Sequence, residues 1–164
     1  MVACLLGIGF WSLASGAYIP AKAWFAQELM QRAWVRAGKD VERPAPWPWA
    51  DTWPVARLTS KSHEIDLIVL AGGSGRTLAF GPGHLSASAM PGEIGNSVIA
   101  GHRDTHFRFL KSVETGELLS VENARGQKHI YKVIGADVVD SRKGSITLDT
   151  DAAMLTLVTC YPFE

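Results

Sequence analysis

The first 21 positions, Met1 to Ala21, carry no charged side chain, and about 20 helical residues suffice to cross the hydrocarbon core of a bilayer. The pattern predicts a single membrane span over residues 1–21. Ala21-Lys22-Ala23 is an A-x-A-like cleavage site, but no basic segment precedes the apolar run as it would in a secretory leader, so an uncleaved anchor is the preferred reading. From Trp24 to Ala37 the spacing becomes that of a helix, with Ala26, Met30 and Trp34 on one side and Leu29, Ala33 and Arg36 on another, and Gly38 ends it. This helix is expected to continue the anchor outward. Lys39 to Pro54 then interleaves Pro44, Pro46, Pro48 and Pro54 with Trp47, Trp49 and Trp53. That composition predicts an extended, polyproline-like strap whose aromatics pack on the following domain or at the bilayer interface.

Beyond Val55 the pattern shortens to β-prone runs. They are Val55 to Thr59, Ile65 to Leu70, Ser97 to Ala100, Leu118 to Val121, Gln127 to Asp140, Ser145 to Leu148 and Met154 to Cys160. No regular helices alternate with these runs, which argues for an antiparallel barrel over a parallel α/β sheet. The chain therefore divides into an anchor (1–21), a helical extension and Pro/Trp-rich linker (22–52) and a β domain (53–164).

Charge changes this picture little. The 164 residues carry 16 basic and 16 acidic side chains with no polybasic run, so no field favours nucleic acid. Lys22, Arg32, Arg36 and Lys39 all follow the span, and a positive-inside count alone would place the domain in the cytoplasm. The Gly72-Gly73-Ser74-Gly75-Arg76 stretch lacks the Gly-Lys-Ser/Thr end of a phosphate-binding loop and reads as a turn. His63, His84 and His129 read as structural.

The candidate chemistry lies at two strand ends. Cys160 closes the last β-prone run, and the other cysteine, Cys4, lies within the apolar segment, so Cys160 reads as a free thiol. Ile99-Ala100-Gly101-His102 closes another such run, and two strand ends can converge. Along the last strand, alternation puts Met154, Thr156, Val158 and Cys160 on one face and Leu155, Leu157 and Thr159 on the other. A thiol beside an imidazole is a nucleophile with its acid–base partner. A competing reading takes His102, His106 and Cys160 as zinc ligands, although the intervening Arg103-Asp104-Thr105 reads as a turn and no fourth ligand is evident.

The motifs Gly81-Pro82-Gly83-His84, Pro91-Gly92, Gly95-Asn96, Ile99-Ala100-Gly101-His102-Arg103-Asp104 and Thr156-Leu157-Val158-Thr159-Cys160, in this order, make the chain from about Trp53 onward resemble a sortase, nearest the sortases of Gram-negative bacteria. The resemblance implies a mainly β fold: a closed antiparallel or mixed sortase-like barrel of eight strands with short helices, preceded here by the transmembrane helix and missing its last strand. It also implies a cysteine transpeptidase with Cys160 as nucleophile and His102 as acid and base, without metal or cofactor. The implied partners are a protein bearing a Leu-Pro-x-Thr-Gly-like sorting signal, an amine acceptor and the membrane, with no nucleic acid. The implied location is the inner, cytoplasmic membrane, with the domain on its periplasmic side. Sortases carry an arginine on the strand after the cysteine, and here only Tyr161-Pro162-Phe163-Glu164 follows. A C-terminally truncated and inactive chain is therefore expected.

Overall fold

A computed structural model of the chain describes residues 24–39 and 43–163. The expected span over residues 1–21 lies outside them, and among the described residues no helix is long and apolar enough to cross a membrane.

Helix α1 covers residues 24–37. Ala26, Met30, Ala33 and Trp34 are its buried positions, an i, i+4, i+7, i+8 stripe. Ala33 thus sits with Met30 and Trp34, not with Leu29 and Arg36 as the spacing first suggests. The stripe packs against Ile68 and Leu70 of the sheet, with Trp47, Phe80 and Ala124 around it, so the helix lies on the β domain.

The strap after α1 does not run as extended polyproline. It folds back in a turn in which the Ala50 amide donates to the Trp47 carbonyl at 3.0 Å. Arg36 Nη2 donates to the Ala45 carbonyl at 2.8 Å, and the Trp47 ring meets Phe80 edge-on at 4.8 Å. Burying an indole outweighs the extended preference of its flanking prolines. Trp49, by contrast, stays exposed.

The β domain is one seven-stranded mixed sheet. Its strands are β1 (Pro54–Ser60), β2 (Ile65–Ala71), β3 (Gly83–His84), β4 (Gly95–Ala100), β5 (Leu118–Asn123), β6 (Lys128–Lys132) and β7 (Ala153–Val158). The order is β6-β5-β1-β2-β3-β4-β7. The β2–β3 and β4–β7 pairs are parallel and the rest antiparallel. A single turn, α2 (Gly75–Leu78), is capped by Ser74 Oγ accepting from the Thr77 amide, so the glycine-rich stretch is a capped turn. A 3-10 turn spans Arg108–Ser112.

Because β6 and β7 are the edge strands among the described residues, the barrel is curled close to closure and not closed. The Pro91-Gly92 loop reaches across to β6, where the Gly92 amide donates to Tyr131 Oη at 2.8 Å. Only glycine fits there. Its φ is +94°, and an added Cβ would lie 2.3 Å from the His129 ring. Inside the curl, Ala56, Leu58, Val69, Ile99, Phe107, Leu119 and Val121 form the core, with Leu155 and Leu157 packed against it.

Five of the expected strands form in place. The exceptions lie between β6 and β7, where β6 stops at Lys132 short of Asp140 and Ser145 to Leu148 forms no strand. Backbone partners explain both. The Asp140 carbonyl accepts from the Lys143 and Gly144 amides at 2.9 and 2.7 Å, which turns the chain. The Thr147 and Leu148 carbonyls are taken by Asn96, from its side-chain Nδ2 at 2.9 Å and its amide at 2.8 Å. Asn96 Oδ1 also accepts from Thr156 Oγ1 at 2.9 Å, so this buried side chain fixes the approach to β7. Asn96→Ala removes both side-chain bonds and leaves the Thr147 carbonyl without its partner, at an expected cost of about 2 kcal/mol. Chemical denaturation, read as a drop in midpoint at unchanged slope, checks it.

Candidate active site

The β4–β7 ladder is parallel and in register from Gly95↔Ala153 to Ala100↔Val158. Parallel neighbours leave a sheet at the same end. The bonding continues past the strands, since the Gly101 amide donates to the Val158 carbonyl at 3.0 Å and Thr159 Oγ1 donates to the Gly101 carbonyl at 2.8 Å. The ladder ends at Ala100↔Val158, and His102 and Cys160 each follow it by two residues, so both lie just beyond the same end of the sheet. Cys160 is an exposed free thiol, and His102 is exposed as well. Leu155 and Leu157 face the core, so Met154, Thr156 and Val158 take the other face of the strand, as alternation predicts.

The turn holding His102 is anchored from below. The Phe107 amide donates to the His102 carbonyl at 3.0 Å, and the Phe107 side chain is fully buried. Its ring lies flat enough on Gly101 that an added Cβ would sit 2.8 Å from two ring carbons. Gly101→Ala must push the turn away from a core ring that cannot yield. It is expected to lower peptide cleavage at least tenfold while Cys160 still reacts with a small alkylating agent, a contrast that intact-mass kinetics would read.

Arg103 joins the two halves of the site. Its guanidinium pairs with Asp104 at 2.7 Å and donates to the Pro162 carbonyl just past Cys160. Arg103 holds the Asp104 carboxyl below the ordinary aspartate range, chiefly by hydrogen bonding, with Arg108 and His102 adding to it. The sequence reads Arg103 only as part of a turn, and its position next to His102 is the one local signal that could flag it.

The remaining histidines take other duties. His63 Nε2 pairs with Glu117 at 2.6 Å. His84 Nε2 bonds the Ala89 carbonyl at 2.9 Å and Ser88 Oγ at 3.2 Å, and His129 packs under Gly92. The zinc set His102, His106 and Cys160 does not assemble: among the described residues no three His, Cys, Asp or Glu side chains are grouped to hold a metal. His106 is half-buried. Burial pushes its imidazole below the ordinary histidine range, nearby His102 adds to that, and the Phe80 carbonyl opposes it. The surface depression beside α1, lined by Glu28, Arg32 and Val35 among others, includes neither His102 nor Cys160.

A curled mixed barrel that delivers a histidine and an exposed thiol from adjacent parallel strands has the architecture of a thiol acyl-transfer protein. Residues 58–164 match the family model of the sortase domain, and the chain belongs to the sortase family, which are cysteine transpeptidases. It is 36% identical over 100 residues to Sortase D of Bacillus subtilis (strain 168), a match covering 60% of this chain and 50% of that one. The chain thus spans about half the length of this curated relative. Among solved structures it resembles sortase A from Corynebacterium diphtheriae, with a TM-score of 0.63 at 21% identity over 84% of this chain and 77% of that one. Clostridium perfringens sortase C, determined with the C-terminal cell wall sorting motif, gives 0.62 at 19% over 87% and 82%. Sortase C-1 from Actinomyces oris gives 0.61 at 26% over 82% and 89%. These relatives are Gram-positive proteins. They establish the family and the fold, not the Gram-negative subgroup that the motifs suggested.

Proposed function

We propose that this chain is a membrane-anchored cysteine transpeptidase that cleaves a Leu-Pro-x-Thr-Gly-like sorting signal after the threonine and passes the acyl group to an amine. The Cys160 thiolate attacks the threonine carbonyl carbon, and the tetrahedral adduct collapses to a thioester as the C–N bond breaks. His102 gives its proton to the departing amine. The neutral imidazole then accepts a proton from the incoming amine as that nitrogen attacks the thioester, and Cys160 leaves as thiolate. Anchorage through residues 1–21 would hold this chemistry at the outer face of the cytoplasmic membrane.

The in-register parallel β4–β7 pair, whose ends are followed two residues on by His102 and Cys160, supports the reading. Incubation of the protein with a Leu-Pro-x-Thr-Gly peptide, with and without an oligoglycine acceptor, tests it by intact mass. With an arginine-bearing strand from a related sortase appended after Glu164, the expected result is a thioester adduct on Cys160 that the acceptor discharges into a ligated product, and without that strand little turnover is expected. A peptide that binds without forming any adduct would make the chain a binding module instead.

A further inference from the structure

The β4–β7 ladder ends at Ala100↔Val158, and two bonds at Gly101 carry the pairing one step further, from its amide to the Val158 carbonyl and from Thr159 Oγ1 to its own carbonyl. Past that step both chains run out into solvent, His102 on one and Cys160, Tyr161 and Pro162 on the other. Among the described residues no backbone–backbone bond joins 102–106 to 160–163, and chain ends without such bonds fray easily. The Arg103 side chain makes the crossing instead, with Nη1 donating to the Pro162 carbonyl.

That donor is aimed by a second contact. Arg103 Nε and Nη2 donate to the two carboxylate oxygens of Asp104 at 2.7 and 2.9 Å, a two-bond fork that fixes the plane of the guanidinium and with it the direction of Nη1. The Arg103 side chain is 19% exposed where that of Asp104 is 69% exposed, so it lies down along the site while its partner stays in solvent. An ammonium has no plane for a carboxylate to fix. His102 precedes the latching arginine by one residue and Cys160 precedes the accepting proline by two, so opening the latch frees both segments. A misplacement of about 1 Å between reacting groups can cost about 100-fold in rate. We propose that Arg103 is a positioning residue: aimed by Asp104, it latches the His102 turn onto the Pro162 carbonyl and so fixes the segment carrying Cys160 relative to the segment carrying His102. The proposal rests on the transpeptidase reading of the site.

Backbone order parameters of the Cys160 and Tyr161 amides, from nitrogen relaxation on the full chain in detergent, read the latch without turnover. They are expected near about 0.85 in the wild type and below about 0.6 in Arg103→Ala. Arg103→Lys keeps the charge and loses the fork, and should be as mobile as the alanine variant. Peptide cleavage, measured on the chain extended after Glu164 by the arginine-bearing strand, should fall about tenfold in kcat with KM within about twofold in both variants, because the peptide still binds while acid and nucleophile are out of place. Asp104→Asn should loosen the two amides partway and cost about threefold in kcat. In the Arg103→Ala background it should cost nothing more, since Asp104 acts through Arg103. Arg103→Lys at wild-type order and rate, an equal Asp104→Asn loss in both backgrounds, or amide order unchanged in Arg103→Ala would each overturn the proposal. If the extended wild-type chain cleaves no peptide, the transpeptidase reading fails while the order parameters still decide the latch. Should Arg103→Ala not fold, Arg103→Lys and Asp104→Asn decide it by the same order parameters.

Discussion

Cys160→Ala is expected to abolish thioester formation with a sorting-signal peptide and to leave the unfolding midpoint unchanged. The two halves of this expectation have separate causes. Chemically, acyl transfer through a thioester has no other nucleophile at the strand end, since the neighbouring Thr159 hydroxyl is committed to the Gly101 carbonyl and an alcohol is far less acidic than a thiol. Structurally, the cysteine is exposed and unpaired by any disulfide, and it lies beyond the last ladder position at Val158. Truncating such a side chain usually alters stability by no more than about 0.5 kcal/mol. Intact-mass analysis after peptide incubation, together with thermal unfolding of both proteins, checks the two parts. A variant that still cleaved peptide at the wild-type rate would remove Cys160 from the mechanism.

How far this site was legible in the sequence depended on whether the signal was local. β1, β2, β4, β5 and β7 could be read because β-branched and apolar residues recur between turn formers, and because each run is short enough to be bounded clearly. Ile134, Val138, Val139 and Ile146 carry the same propensity, yet they sit outside any strand and are exposed. There the deciding events were the Asp140 turn and the capture of the Thr147 carbonyl by Asn96, a partner far away in sequence. Propensity cannot report a bond made that far off. The same limit governs the parallel β4–β7 pairing. His102 and Cys160 are visible as strand ends, but short strands without helices suggest antiparallel neighbours, and the parallel register that brings the ends of β4 and β7 to the same end of the sheet comes only from the structure. Gly101 and Phe107 show a third case: each looks ordinary alone, and their requirement for one another arises where the ring lies on the backbone.

His102→Ala is expected to depress peptide cleavage by at least about 100-fold, the scale of lost general acid–base catalysis. The leaving group is an amine, which departs poorly as an anion, so the step that forms the thioester depends on a proton delivered at the C–N bond. The parallel register brings the ends of β4 and β7, each followed two residues on by His102 or Cys160, to the same end of the sheet. His63, His84 and His129 are engaged with Glu117, Ala89 and the Gly92 loop. His106 is half-buried in the turn that follows His102, and His106→Ala should cost far less. The contrast between these two variants is the measurement. It should be made as kcat/KM for cleavage, alongside the rate at which each protein's Cys160 reacts with a small alkylating agent to confirm that the thiol remains accessible. Equal losses for His102→Ala and His106→Ala, accompanied by stoichiometric zinc in the purified protein, would return the two histidines and Cys160 to the metal reading and displace the acid–base assignment.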